Sequence, residues 1–161
     1  MSTRALLDRA RTRLAGAPRE ALGEVIVPRR VFGIGRSPRI VRRGEAWHLG
    51  VLLLTNEHVL ATGDIVRARQ EARRGFAAES QRQRAELAAA ARRGGIAEGE
   101  VVHIGWTLLD PDAVDAGAAS GPFALRGGVP SVRWSAAGGY MPLESYLGER
   151  VELLLNPPAG A

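Results

Sequence analysis

Three histidines, His48, His58 and His103, are the side chains of this chain best suited to proton chemistry near neutral pH. Each stands in or beside an apolar, strand-like run. If all three met on one face, with Glu57 or Asp64 beside them, they would form an open metal site of the catalytic kind. None of their spacings is a ligand signature, so the expectation is no metal and no other cofactor, with structural histidines beside Trp47 and Trp106. A hydrolytic site needs less. His58, His48 or His103, oriented by Asp64 or working with a nearby Ser, would suffice for general acid–base or nucleophilic catalysis. The carboxylates Glu45, Glu57, Asp64 and Glu144 border apolar segments, where a carboxyl can be tuned for proton transfer. Each can equally be a turn or cap residue, and no pair stands out by spacing.

Several chemistries are excluded outright. The sequence has no Cys, which removes disulfides, thiolate nucleophiles and Cys-ligated metals. All 22 basic residues are Arg, so no Schiff base, P-loop lysine or Ser-Lys dyad can form within the chain. Gly33-Ile34-Gly35 lacks the third glycine and the helix start of a dinucleotide loop, and reads as a bend between strands. Charge is unevenly placed: residues 1–95 carry a net +10 and residues 96–161 a net −5. Such asymmetry serves an anionic partner, packing within the chain, or pairing of two copies as a homodimer. Arg67, Arg69, Arg73, Arg74, Arg82 and Arg84 could line one helix face and neutralise phosphates of a nucleic acid or an anionic lipid surface. No aromatic residues are interleaved with them, Glu71, Glu79 and Glu86 dilute the stripe, and no reader motif is present.

The elements that must position these groups centre on Ala46–Val66, the most apolar stretch. Val51-Leu52-Leu53-Leu54 shows no alternation, so both faces of that strand should be covered. Asn56-Glu57 is a turn, and His58–Val66 returns. Before it, Ser2 or Thr3 caps a helical arm over residues 1–16, with Leu6, Leu7, Ala10 and Leu14 on one side. Strands are expected at residues 24–27, 31–35 and 39–42. After it, residues 67–93 have high helix propensity and read as one long basic helix ended by Gly94-Gly95. Residues 101–109 form a strand with Val102, Ile104, Trp106 and Leu108 on one face and His103 on the other. Residues 112–130 read as a loop with one helical turn, Ser131–Trp134 as a short strand, Pro142–Leu147 as a short helix ended by Gly148, and Arg150–Leu155 as the last strand. No run of 18 apolar residues and no secretory signal is present, so a soluble cytoplasmic protein is expected.

The segment Thr55-Asn56-Glu57-His58-Val59 is similar to the strand carrying the histidine of trypsin-like proteases, but Ala119-Ser120-Gly121-Pro122 does not match that family's nucleophile motif. Trp47–Ile65, with its Leu-Gly-Val-Leu-Leu-Leu-Thr-Asn-Glu-His-Val-Leu hairpin, resembles the central hairpin of GRAM and PH-like domains. That resemblance implies an antiparallel half-barrel closed by a helix that binds lipids, peptides or proteins. The chain also resembles a family of actinobacterial proteins through Phe32-Gly33-Ile34-Gly35-Arg36, residues 61–69, Ser131-Val132-Arg133-Trp134-Ser135 and Tyr140-Met141-Pro142-Leu143. Some members carry the label glutaminase, which implies amide hydrolysis. Serine-type glutaminases use Ser-x-x-Lys and amidotransferase glutaminases use Cys, and this chain has neither Lys nor Cys.

The reading is therefore a single α+β domain over residues 1–161: an antiparallel, barrel-like sheet with one long mid-chain helix and a helical N-terminal arm. Its core should contain Trp47, Leu49, Val51, Leu53, Val59, Ile65, Ile104, Trp106, Leu108, Trp134, Leu153 and Leu155. The leading function is a non-enzymatic binding or interaction module with a protein partner or a second copy of itself. The alternatives are a small hydrolase using a histidine–carboxylate site and an electrostatic binder of nucleic acid or anionic lipid.

Overall fold

The computed structural model of the chain describes residues 1–29, 33, 37–70 and 78–160. In chain order the elements are α1 (Thr3–Leu14), β1 (Glu20–Ile26), β2 (Arg39–Leu49), β3 (Leu52–Leu54), β4 (Val59–Ala61), β5 (Asp64–Arg67), α2 (Glu79–Arg93), β6 (Val101–Ile104), β7 (Thr107–Leu108), α3 (Pro111–Asp115), β8 (Phe123–Arg126), β9 (Val129–Arg133), β10 (Tyr140–Pro142) and α4 (Leu143–Leu155). Among the described residues the fold is α+β, with four helices and two sheets, neither closed into a barrel. No described helix is long and apolar enough to cross a membrane. The chain divides into two compact units. The first comprises Met1–Arg19, Ala46–Thr62 and Thr107–Ala161, and the second Glu20–Glu45 and Gly63–Trp106.

In the first unit, Ser2 caps α1, its hydroxyl accepting from the Ala5 N–H at 3.1 Å. The helix buries Leu6, Leu7, Ala10 and Leu14, the i, i+4 stripe read from the sequence. These residues join one core with Trp47, Leu49, Leu52, Leu54, Phe123, Val132, Leu143, Tyr146 and Val151. The end of β2 pairs antiparallel with β3, β3 with β4, and β4 with β7. Gly50 turns the chain between β2 and β3 at φ +66, and a Cβ there would collide with the Tyr146 hydroxyl. That hydroxyl donates to the Leu49 carbonyl at 2.9 Å and accepts from the Val51 N–H at 2.8 Å. A second, three-stranded sheet has the order β10-β9-β8.

In the second unit the strand order is β5-β6-β1-β2. The core gathers Ala21, Ile40, Val66, Ala68, Ala90, Ala91, Ile96, Val102 and Ile104. Helix α2 contributes only alanines and a half-buried Leu87, and residues 79–86 are exposed on every side. Gly94 closes α2 against the Ile40 backbone, where a Cβ would overlap the Ile40 carbonyl.

Five expectations are corrected here. The sheet is not wholly antiparallel: β1 and β6 pair in parallel, Ala21 opposite Val102. Parallel neighbours need a long crossover, and periodicity carries no sign of which distant strand will be met. The barrel does not close, because β5, β7, β8 and β10 remain edge strands. The helix expected over residues 67–93 is Glu79–Arg93, while Asp64-Ile65-Val66-Arg67 pairs as a strand with β6. The ladder with β6 carries the strand expected to end at Val66 one residue further, to Arg67 opposite Val101, against the helix propensity of that arginine. Gly75 and Phe76 of that expectation lie outside the described residues, as does most of the strand expected at 31–35. The loop expected over 112–130 holds α3 but also the strand β8. The C-terminal strand is the last two turns of α4: Leu143, Tyr146, Leu147 and Val151 recur at helical spacing, and Gly148 is tolerated within the helix.

The expected core is corrected in the same way. Trp47, Leu49, Leu53, Val59 and Ile104 are buried, but Ile65, Leu108, Trp134, Leu153 and Leu155 are exposed. Gly105, at φ +67, breaks the strand expected at 101–109 into β6 and β7. Past the break it is Leu109 that turns inward, and Leu108 outward.

Candidate functional site

The three histidines stand on three different elements. His58 is exposed in the β3–β4 turn, where its backbone N–H donates to Thr55 Oγ1 at 2.8 Å and its carbonyl accepts from Arg11 at 3.2 Å. His48, half-buried on β2, has Nε2 3.0 Å from the Gly50 carbonyl oxygen. His103, on β6, is fully buried, with Nε2 3.1 Å from Glu20 Oε1 at the start of β1. The parallel β1–β6 register sets Leu22 opposite His103 and brings Glu20 within reach. The acid partner expected for a histidine was Asp64, which is instead exposed at the start of β5, opposite Ile104. Glu45, Glu57 and Glu144 are exposed as well, and Glu144 faces Arg9 at 3.4 Å.

The arginine stripe does not form one helix face. Arg67 ends β5 and donates to the Gly99 carbonyl at 2.8 Å. Arg69 follows the strand, its backbone N–H bonded to the Ala88 carbonyl at 3.2 Å. Arg82 and Arg84 stand on the exposed first half of α2. Arg73 and Arg74 lie outside the described residues.

A different group of residues gathers around an open hollow in the first unit. The β8–β9 hairpin turns through Gly127 and Gly128, at φ +58 and +77, the two consecutive positive angles of a tight primed turn. Its register sets Phe123 opposite Val132, Ala124 opposite Ser131 and Arg126 opposite Val129. On the other side of β9, Tyr140 pairs with Arg133 and Pro142 with Ser131. With a side-chain period of two, one face of the sheet carries Phe123, Leu125, Val132 and Met141 into the core. The opposite face carries Arg126, Val129, Ser131, Arg133, Tyr140 and Pro142.

Those six residues, with Gly138 and Gly139, line a hollow of about 550 Å³. That volume is in the range of small-molecule sites. Arg126 Cζ lies 4.9 Å and Arg133 Cζ 5.2 Å from the centroid of the Tyr140 ring, so two guanidinium groups share one aromatic side chain. Among the described residues neither arginine forms an ion pair with a carboxylate. Ser131 donates its hydroxyl proton to the Val129 carbonyl at 3.0 Å, which leaves its oxygen as an acceptor only. The indole of Trp134, one residue beyond Arg133, is 48% exposed. It lies against Gly138, where an added Cβ would come within 3.2 Å of the ring.

None of these residues was singled out from the sequence for chemistry. A signal was there. Residues 116–143 contain no Asp or Glu, and Arg126 and Arg133 are their only charges, within a half of the chain that is otherwise acidic. Compared with family models, with curated proteins and with solved structures, the chain finds no match.

Proposed function

We propose that this protein is a binding module and that it takes an anionic ligand in the hollow on the outward face of the β8–β9–β10 sheet. The observation that carries the reading is the convergence of Arg126 and Arg133 on Tyr140 with no carboxylate among the described residues to neutralise them. Two cations held in one hollow repel each other, and an anion that accepts their N–H groups relieves that repulsion. The Tyr140 ring restricts both side chains before the ligand arrives, which lowers the entropy lost on binding. The resemblance of Trp47–Ile65 to the central hairpin of GRAM and PH-like domains accords with a binding role.

Titration calorimetry at low ionic strength, with inorganic phosphate and sulfate as probes, tests this. Saturable binding is expected, weakened at least about tenfold in Arg126→Ala and in Arg133→Ala, because a charge-assisted hydrogen bond contributes about 1.5–3 kcal/mol. Absence of anion binding at low salt, or binding indifferent to both substitutions, overturns the reading.

A hydrolase built on His103 and Glu20 is the second reading, supported by their 3.1 Å approach. An imidazole with no exposed surface meets no substrate in this conformation, and the pair fits a structural role better.

A further inference from the structure

The geometry points to a ligand of defined chemistry for this hollow: a phosphate monoester carried on an aromatic ring system, as in a nucleoside monophosphate or the 5′-phosphorylated end of an oligonucleotide. The inference rests on the anion-binding reading above and adds to it the charge and shape of the ligand.

Charge comes first. Among the described residues the hollow presents two guanidinium groups and no acid. A monocarboxylate neutralises only one of them. A phosphate monoester carries about −1.5 to −2 near neutral pH and three strong acceptor oxygens, so one group can engage both forks.

Shape comes second. A hollow of about 550 Å³ is several times larger than a bare phosphate, which leaves room for a further group on the anion. Trp134 stands beside the hollow, not in its lining, and offers that group a flat face. Its indole lies on Gly138, which itself lines the hollow, and nearly half of its surface faces solvent. Gly138 is the residue that permits this, since a side chain there would press on the Trp134 ring and on Ser135 Oγ. The two rings divide the work. Both arginines reach toward the Tyr140 ring, while the indole is left to stack on an aromatic base.

Fluorescence titration of the intact protein provides the test. Trp47 is buried and Trp106 is tied to the Gly23 carbonyl at 3.1 Å, so the half-exposed Trp134 is the indole a ligand can reach. The probes are adenosine and uridine 5′-monophosphate, the matching nucleosides, inorganic phosphate, and a short single-stranded oligonucleotide with and without a 5′-phosphate. The nucleotides are expected to quench emission and to bind at least about tenfold tighter than the nucleosides. Trp134→Ala removes the reporting indole, so its affinities are read by titration calorimetry; it is expected to weaken the nucleotides by about 5- to 100-fold, with the affinity for inorganic phosphate unchanged. Trp134→Phe should restore most of the loss. Preference for the free nucleotide, or for the phosphorylated oligonucleotide, identifies the source of the group. Nucleotides bound no tighter than phosphate, or unaffected by Trp134→Ala, overturn this inference while phosphate binding dependent on Arg126 and Arg133 keeps the anion reading. If neither phosphate nor nucleotide binds, both readings fall. Trp134 is exposed, so an unchanged melting temperature in both variants separates lost binding from lost fold.

Discussion

The Tyr146 hydroxyl clamps the Gly50 turn, and a double-mutant cycle on the two residues measures that clamp. The hydroxyl bonds Leu49 and Val51 on either side of the turn, at 2.9 and 2.8 Å, and Tyr146 is 1% exposed. Tyr146→Phe keeps the ring in the core and removes both bonds. At about 1 kcal/mol net for each, the loss is about 2 kcal/mol. Gly50→Ala introduces a left-handed alanine, which costs about 1–2 kcal/mol, and sets its Cβ against the same hydroxyl. The clash pushes the hydroxyl off both partners, so this variant loses about 3–4 kcal/mol in all. With Phe at 146 the hydroxyl is gone, and Gly50→Ala then costs only its backbone strain. The cycle therefore predicts a coupling of about 2 kcal/mol, with the double variant less unstable than the sum of the singles. Urea denaturation followed by circular dichroism gives the four free energies. Thermal melts give the same order, Tyr146→Phe falling by roughly 4–8 °C for a chain of this length. Additivity within about 0.5 kcal/mol, or a neutral Tyr146→Phe, refutes the clamp.

Three further outcomes follow from single positions. Gly94→Ala drives a Cβ into the Ile40 carbonyl, which as backbone cannot move aside, and should lower stability by about 2–3 kcal/mol; Gly148→Ala, a helical position facing open space, should raise it by about 0.5–1 kcal/mol, and thermal melts of both variants check the pair. Slight burial pushes the Asp115 carboxyl up, but hydrogen bonds from Thr3 at 2.7 Å and Arg4 at 3.4 Å outweigh it and hold the pKa below its ordinary 3.8. Its stabilising contribution is thus complete above that value and fades as pH falls through the depressed one, so wild type and Asp115→Asn should differ in urea midpoint at neutral pH and converge in acid.

Local patterns carried much of the fold into plain view. The stripe Leu6, Leu7, Ala10 and Leu14 made α1 legible, and the unalternating Leu52-Leu53-Leu54 announced a strand covered on both faces, as its complete burial shows. Where the reading went astray, a long-range partner decided. Arg67 opens a helix-favouring run, but β6 supplies its ladder and makes it the last residue of β5. Leu153-Leu154-Leu155 looks like a strand when isolated and becomes helical once Tyr146, Leu147 and Val151 are counted as one face. Leu108 shared a face with Ile104 only until Gly105 reset the alternation.

The site divides along the same line. Composition by itself determined that any chemistry here works without thiols or amines and that arginine is the only cation besides histidine. It also left residues 116–143 with two positive charges and no negative one. That these two arginines reach the same ring was decided by tertiary structure. Arg126 and Tyr140 lie on strands that never pair with each other, and only β9 between them, with its two-residue side-chain period, turns both toward one face. Sequence spacing reports the direction of a side chain relative to its own strand. The meeting of side chains from separate strands depends on register, which hydrogen bonds between distant segments establish.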